Sequence, residues 1–462
     1  MNYDIAIIGA GPGGYVAAIK ASGLGAKVAL IEQDEVGGVC LNRGCIPTKA
    51  MIASAHAYEN AIAAEEFGIK LSKDSISIDY AAVQSRKDKI ITTLRGGIEK
   101  LLKGRKIEVI KGSAKFTGPN QIDVGGAKID ARNIIIATGS TWIELPNLQT
   151  NGKFVVTSDE ALSWSEVPKR LLIVGGGVIG CELACMMNAF GSQVTIVEAM
   201  PSILPPVEKE ISKQLARTMK SKGISILTDT TVEKINSDGE CVKATLSSGE
   251  ELDFDKVLVA IGRRPDFSSL DLSNAEIEID ERGFIKVDEH FQTNVKGVYA
   301  IGDAIGTMML AHVASAEGIA AVEHILGKSK GNIDYNSIPS PVFTTPEIAS
   351  VGKTSSQLEK QGIEFETGRF PYIATGKALC DGDKTGQIIV LGGKGDGRLL
   401  GVHIFGREAT NLIGEAALAI RNGLSAKDLE ETIHAHPTLS EALAESAADV
   451  YGAAIHKIGR QK

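Results

Sequence analysis

Residues 3–14 read Tyr-Asp-Ile-Ala-Ile-Ile-Gly-Ala-Gly-Pro-Gly-Gly, and residues 171–180 read Leu-Leu-Ile-Val-Gly-Gly-Gly-Val-Ile-Gly. Each is an apolar, strand-like run that enters G-x-G-x-x-G, with Gly9, Gly11 and Gly14 in the first copy and Gly175, Gly177 and Gly180 in the second. The correspondence continues at a constant offset of 166: Ala18 with Ala184, Gly25 with Gly191, Val28 with Val194 and Glu32 with Glu198. A lone glycine triplet is weak evidence. Here each copy has a strand before it, a helical stretch after it and an acidic residue 18 positions beyond the third glycine. That is the context a dinucleotide-binding turn requires. The first glycine permits the tight turn, the second lets backbone approach a pyrophosphate, and the third lets helix pack on strand. The helix N-terminus then faces the phosphates, and the carboxylate ending the second strand accepts from a ribose hydroxyl.

Two such units in one chain imply a flavin and a nicotinamide that exchange hydride. Three more strand-then-glycine segments accompany them. Ile134–Gly139 and Leu258–Gly262 read as the strands that close the two units, which places Thr138, Gly139 and Gly262 beside cofactor. Val298–Asp303 ends in a carboxylate suited to a polyhydroxy chain such as the ribitol of FAD. The stretch 171–191 is long and apolar enough to imitate a membrane span, yet its glycines crowd the first half, so it reads as a buried strand–helix unit.

With 462 residues the chain is long enough for about three domains. Its 43% hydrophobic content excludes disorder as the main state. A net charge of −8 argues against a nucleic-acid binder or an anionic-membrane binder. The opening MNYDIAIIGAG has no basic leader, so no secretory signal is expected. The boundaries read as 1–149 (first unit), 150–270 (second unit), 271–337 (a return to the first) and 338–462. The last region carries strand patterns at 387–391 and 399–405 followed by helices, and it reads as a separate α+β domain. The fold class is therefore α/β: two Rossmann-like units plus a C-terminal α+β domain.

Six cysteines are too few for a secreted disulfide framework. Cys181, Cys185, Cys241 and Cys380 read as small core residues. Cys40 and Cys45, in GGVCLNRGCIPTK (37–49), are different. On a regular helix five residues rotate side chains about 140° apart, so a disulfide between them needs an irregular turn, which Asn42 and Gly44 can supply. A zinc site would need further ligands, and His56 is the only close candidate. No metal is expected. Two inert thiols are the alternative to a redox pair. The redox reading is favoured because the pair follows Glu32 closely, near the carboxyl edge of the first sheet, where ligands bind. Near the end, HAHPTLSEA (434–442) places His436 before Pro437 and five residues ahead of Glu441. A histidine with a carboxylate partner suits acid/base work on thiols.

In order and across nearly the whole chain, GxGxxG, GGVCLNRGCIPTK, GGGVIGCE, AIGRRPD, YAIGD and HAHPTLSEA resemble the class I pyridine nucleotide–disulfide oxidoreductases. The ending and Glu198 are most similar to the branch that oxidises dihydrolipoamide. The resemblance implies a cytoplasmic homodimer with FAD-, NAD- and interface domains, acting on the lipoyl domain of the acyltransferase subunit of 2-oxo acid dehydrogenase complexes. It implies a Cys40–Cys45 redox disulfide, with Cys45 against the flavin and Cys40 exchanging with substrate. It also implies His436, paired with Glu441, reaching the cysteines from the partner subunit, and Lys49 with Glu182 as an ion pair beside the flavin. Asp303 and His312 are expected near cofactor. Two positions depart from the family pattern. Arg43 stands where many members carry valine, and is expected to tune thiolate stability or docking. Val313–Ser315 is less charged than usual. Within the family, Glu198 argues against the 2′-phosphate a glutathione-type reductase would bind. The last cysteine is Cys380, so the extra C-terminal redox pair of mercuric and large thioredoxin reductases is missing. A flavin-binding subunit without dithiol chemistry is the remaining alternative.

Overall fold

The computed structural model describes residues 2–237, 241–328 and 333–458. The first glycine turn forms as its sequence requires. Strand β1 (Asn2–Ile8) runs into Gly9, whose φ of 102° favours a residue without a Cβ, and helix α1 (Pro12–Gly23) leaves from Gly11. β1 is flanked in parallel by β2 (Val28–Glu32) and by the strand Ala127–Ile136, with Ile5 opposite both Val28 and Asn133. The sheet has seven strands, and Val298–Ala300 joins it in parallel beside Ile134–Ile136. Ile5, Ile7, Leu30, Ile134 and Ile135 are fully buried in it, as expected for a parallel sheet covered on both faces.

The second copy repeats this geometry. The strand Arg170–Val174 enters Gly175 at φ 109° and is flanked in parallel by Gln193–Val197 and Lys256–Val259. The backbone bonds match as well. Gly9 N–H donates to Ile31 O and Gly175 N–H to Val197 O, both at 2.8 Å. The five-stranded parallel sheet carries an antiparallel three-stranded excursion between 232 and 254. Among the described residues no helix is long and apolar enough to cross a membrane.

The cysteine segment lies between β2 and the long helices that follow. Short helix α2 (Gly38–Arg43) stops at Gly44, and α3 (Cys45–Ile62) begins immediately. Gly44, at φ −134° and ψ −104°, is the irregular residue. Asn42 is not. It lies within α2, and its side-chain amide donates to the Val36 and Gly38 carbonyls at 3.1 and 3.0 Å, which fastens the helix rather than breaking it. Cys380 also departs from its expected core position, since it is exposed at the end of the short helix Gly376–Cys380. Helix α4 (Tyr80–Gly104) packs on α3. Two short helical elements of the second unit matter below, α5 (Ser158–Ala161) and α6 (Val178–Ala189).

Residues 340–406 supply a five-stranded antiparallel sheet. Its strands Leu399–Gly406 and Gly386–Gly393 match the two sequence-read runs, and Ser340–Val342, Ile348–Gly352 and Phe365–Pro371 complete it. The helix Glu441–Val450 lies across Phe365–Pro371. Contact is close at Gly368, where an added Cβ would overlap the Ser446 carbonyl and sit 2.7 Å from the Val450 nitrogen. Gly368→Ala therefore forces apart the strand and the helix that starts at Glu441. The expected cost is about 1–3 kcal/mol, read as a lower urea midpoint at unchanged slope. An unchanged midpoint would show that the helix is not seated on that backbone.

Candidate active site

Both acidic residues are fixed by the turn they follow. Glu32 accepts from the Ala10 N–H and the Asp34 N–H, each at 2.7 Å. Glu198 accepts from the Gly176 N–H at 2.6 Å and the Met200 N–H at 2.8 Å. These partners are again equivalent between the copies. The second glycines are open: a Cβ on Gly11 would meet nothing nearer than Gly38 Cα at 3.9 Å, and one on Gly177 nothing within 4 Å. The third glycines are closed, because a Cβ on Gly14 or Gly180 would overlap the carbonyl oxygen of Gly9 or Gly175. Each turn thus has the packing glycine and the open cradle that a pyrophosphate needs.

The surroundings of the first cradle fit FAD in particular. Thr138 Oγ1 is buried without a hydrogen-bond partner among the described residues, beside Gly139 at φ 75°. Such a group calls for a ligand or water. Asp303 accepts from Ser140 Oγ at 2.5 Å, and Ser140 is gripped by Arg263, whose Nε lies 2.8 Å from Oγ and whose Nη2 lies 2.6 Å from the carbonyl. The Asp303 turn is held by Glu317, which is fully buried. It accepts from Gly302 N–H, Thr307 Oγ1 and Tyr335 Oη at 2.6, 2.8 and 2.8 Å. Burial pushes its carboxyl upward, against those three donors. His312 is exposed on the helix Ala311–Ile325, and its Nε2 donates to the Pro339 carbonyl at 2.8 Å, fastening the segment that leads into the last domain. Gly262, at φ 130°, precedes the strand Arg263–Pro265 that pairs with Ser140–Trp142.

The cysteine segment is tied to the first cradle. Gly37 N–H donates to Ala10 O at 2.8 Å, and Gly38 lies so close that a Cβ on it would come within 2.7 Å of Gly11 Cα. Cys40 and Cys45 are free thiols, and each acts on the ionisation of the other, which makes them unequal. Donation to Cys45, then burial, pushes the Cys40 thiol well up. Cys45 is lowered to about 7, chiefly by the bond from Cys40 and next by the Lys49 charge, against burial and the Glu182 charge. Lys49 Nζ pairs with Glu182 Oε2 at 2.7 Å and lies 4.5 Å from the centre of the Phe343 ring. Glu182, buried on α6, also accepts from Phe343 N–H at 2.8 Å. His56 is engaged elsewhere, with Thr345 Oγ1 at 2.9 Å.

His436 stands apart from the thiols within one chain. Its side chain is 76% exposed, with Nδ1 2.9 Å from Glu441 Oε1. Glu441 also accepts from Thr438 N–H at 2.9 Å. Against the push of burial, that bond and the imidazole hold its carboxyl down. Both nitrogens of His434 are taken, by the Thr432 carbonyl and by Glu415. Close to His436, Ile433 is 96% exposed.

Arg43 pairs with Asp34 at 2.7 Å and with Asp159 at 3.5 Å. Lys49 is the cation that tunes Cys45. Glu317 and Ser140 escape sequence reading, since neither stands in a motif. Arg263 was within reach, directly after Gly262 in AIGRRPD.

The family model described as pyridine nucleotide-disulphide oxidoreductase matches residues 3–318, and its dimerisation domain matches residues 338–447. Dihydrolipoyl dehydrogenase 1, mitochondrial, of Arabidopsis thaliana is 43% identical over 98% of this chain and 91% of its own length. Dihydrolipoyl dehydrogenase of Bacillus subtilis (strain 168) is 42% identical over 98% and 97%. The crystal structure of LpdA from Mycobacterium tuberculosis superposes with a TM-score of 0.90 at 25% identity, covering 96% of this chain and 99% of that one.

The Lys49 contribution is testable on the reduced protein. Iodoacetamide should alkylate Cys45 with a midpoint near pH 7. Lys49→Met should raise that midpoint by about one unit, because an opposite charge favours the thiolate. An unmoved midpoint would remove Lys49 from the account.

Proposed function

The chain belongs to the pyridine nucleotide–disulphide oxidoreductase family, and on that premise we propose that Cys40 and Cys45 are its redox pair and His436 its thiol base. The enzyme is an FAD-containing, NAD-dependent oxidoreductase of the dihydrolipoyl dehydrogenase type. The observation that carries the site assignment is the placement of the two cysteines around the break at Gly44, tied to the first glycine turn and joined by the Lys49–Glu182 pair, with Cys45 lowered to about 7.

The division of labour follows. Gly9, Gly11, Gly14, Glu32, Thr138, Gly139 and Asp303 would hold FAD along the first cradle, with Lys49 and Glu182 serving the same site. Gly175, Gly177, Gly180, Glu198 and Gly262 would hold NAD. The fixed Glu198 carboxylate suits ribose hydroxyls and repels a 2′-phosphate. Residues 1–149 with 271–337 form the FAD domain, 150–270 the NAD domain and 338–462 the dimer interface.

In the homodimer, His436 of one subunit serves the thiols of the other. Its Nε2 takes the proton of one substrate thiol while Glu441 holds Nδ1. Without a base only a few per cent of a thiol with pKa near ~8.5 is ionised at pH 7. The substrate thiolate attacks Cys40 Sγ in the Cys40–Cys45 disulfide. The S–S bond breaks and Cys45 leaves as thiolate, stabilised by the Lys49 charge. The second substrate thiol, deprotonated in turn, displaces Cys40 from the mixed disulfide, and Cys40 keeps a proton. Lipoamide departs oxidised, and the pair has gained two electrons. FAD, when bound, would supply the two-electron acceptance by which the Cys40–Cys45 disulfide re-forms as Cys40 gives up its proton, and the hydride donation to NAD. The substrate is the lipoyl group on the acyltransferase subunit of a 2-oxo acid dehydrogenase complex. A cycling disulfide fits a reducing compartment, the cytoplasm.

His436→Gln should cut dihydrolipoamide–NAD turnover by ~10²–10⁴ yet leave NADH-driven reduction of an artificial acceptor largely intact. His434→Gln should do much less to the first activity. An equal fall of both activities in His436→Gln would assign the residue to folding or cofactor binding instead.

A further inference from the structure

Helix α2 has six residues, too few to hold a helix by itself. Its first residues lean on the glycine turn through Gly37 and Gly38. Its last residue, Arg43, is held by two carboxylates from different parts of the chain. Asp34 Oδ2 lies 2.7 Å from Nη1, and Asp159 Oδ2 lies 3.5 Å from Nε. Asp34 is placed by its own N–H on Glu32 and by Lys111 on its carbonyl.

Asp159 belongs to α5 of the second unit, and α5 is a rigid post. Thr157 and Glu160 close a capping box at its start. Two α4 side chains from the first unit hold the carbonyls beyond it: Lys87 Nζ on Leu162 at 2.9 Å and Gln84 Nε2 on Trp164 at 2.9 Å. Asp159 Oδ1 is buried without a hydrogen-bond partner among the described residues, so the carboxylate depends on its cations. Burial pushes it up, with Arg43 and then Arg263 opposing.

We propose that Arg43 is a positioning residue for Cys40. It ties the end of α2 to Asp159 on α5, and so holds Cys40, three residues earlier on the same helix face, against Cys45. Lys49 is the cation with the leading effect on both thiols, so the part assigned to Arg43 is to hold the helix end. The tether also explains why the residue between the cysteines can be an arginine without disturbing their chemistry. It reaches from the redox segment to the second dinucleotide unit and fixes the approach of the two sulfurs.

This inference rests on the dithiol–disulfide reading of Cys40 and Cys45, and an exchange equilibrium separates the two. Holoenzyme is equilibrated anaerobically with mixtures of dithiothreitol and its cyclic disulfide. As the Cys40–Cys45 disulfide is reduced to two thiols, dithiothreitol gives up two electrons and two protons and closes its ring. The thiol content is then trapped and counted by mass. Loosening α2 lowers the effective concentration of Cys40 beside Cys45, so Arg43→Val shifts the constant toward the dithiol by about two- to fivefold, the scale of a partly exposed ion pair. Asp159→Asn shifts it the same way. The double variant shifts no further than Arg43→Val alone, because both changes break one contact. Arg43→Lys recovers at least half of the shift. Should Arg43→Val not fold, Asp159→Asn and Arg43→Lys still decide the matter. Failure of the unsubstituted enzyme to form a Cys40–Cys45 disulfide overturns the redox reading and the tether together. A disulfide that forms with a constant indifferent to Arg43→Val or to Asp159→Asn, or strictly additive shifts in the double variant, overturns the tether alone.

Discussion

At Gly44 the backbone leaves helical geometry, ends one short helix and starts a long one, and the thiols on either side meet. A continuous helix would turn Cys40 and Cys45 about 140° apart. The break is tight: a Cβ on Gly44 would come within 3.1 Å of Val39 O. From this meeting follows the asymmetry of the pair. One thiol donates and is held protonated, while the other accepts and ionises near neutral pH. A nucleophile and a leaving group of different basicity are what a directional disulfide relay needs.

The rest of the fold brings partners to that pair. The first glycine turn receives the cysteine segment through Gly37 and Gly38, so the thiols lie where a flavin on that turn would reach. The second unit contributes Glu182 from α6 to hold Lys49, and Asp159 from α5 to hold Arg43. The last domain contributes Phe343, whose N–H fixes Glu182, and carries His436 on its exposed edge. Three segments far apart in the chain thus converge on two sulfurs. His436, which we propose as the thiol base, faces outward within one chain, in the region that matches the family's dimerisation domain.

Both dinucleotide units were legible because the chain spells them twice, and the shared pattern extends to carboxylates gripped by equivalent N–H groups. The thiol pair and the His436–Glu441 contact were legible from local spacing. What could not be read depends on distance. Glu317 is one of two carboxylates in an alanine-rich helix, and its three donors lie on the Asp303 turn and on Tyr335. Of the two partners of Arg43, Asp34 is close by in the chain but Asp159 lies more than a hundred residues away, so the sequence did not show what the arginine reaches. Asn42 was assigned to the irregular turn by residue type, whereas its amide donates to the Val36 carbonyl just before α2 and the Gly38 carbonyl within it, and Gly44 alone bears the break. The short strands at 340–342, 348–352 and 365–371 have little apolar alternation of their own and owe their pairing to the longer strands beside them.

The unequal pair is the centre of this account, and anaerobic absorbance of two single-cysteine variants tests it most directly. Holoenzyme carrying Cys40→Ser keeps the Cys45 thiolate beside the flavin and should show a long-wavelength thiolate-to-flavin band that titrates above the value of about 7 at which Cys45 ionises beside Cys40. Without the Cys40 donor, the midpoint should move upward from that value. Holoenzyme carrying Cys45→Ser should lack the band at every pH. A band in both variants, or in neither, would contradict the assignment of Cys45 as the flavin-side thiolate.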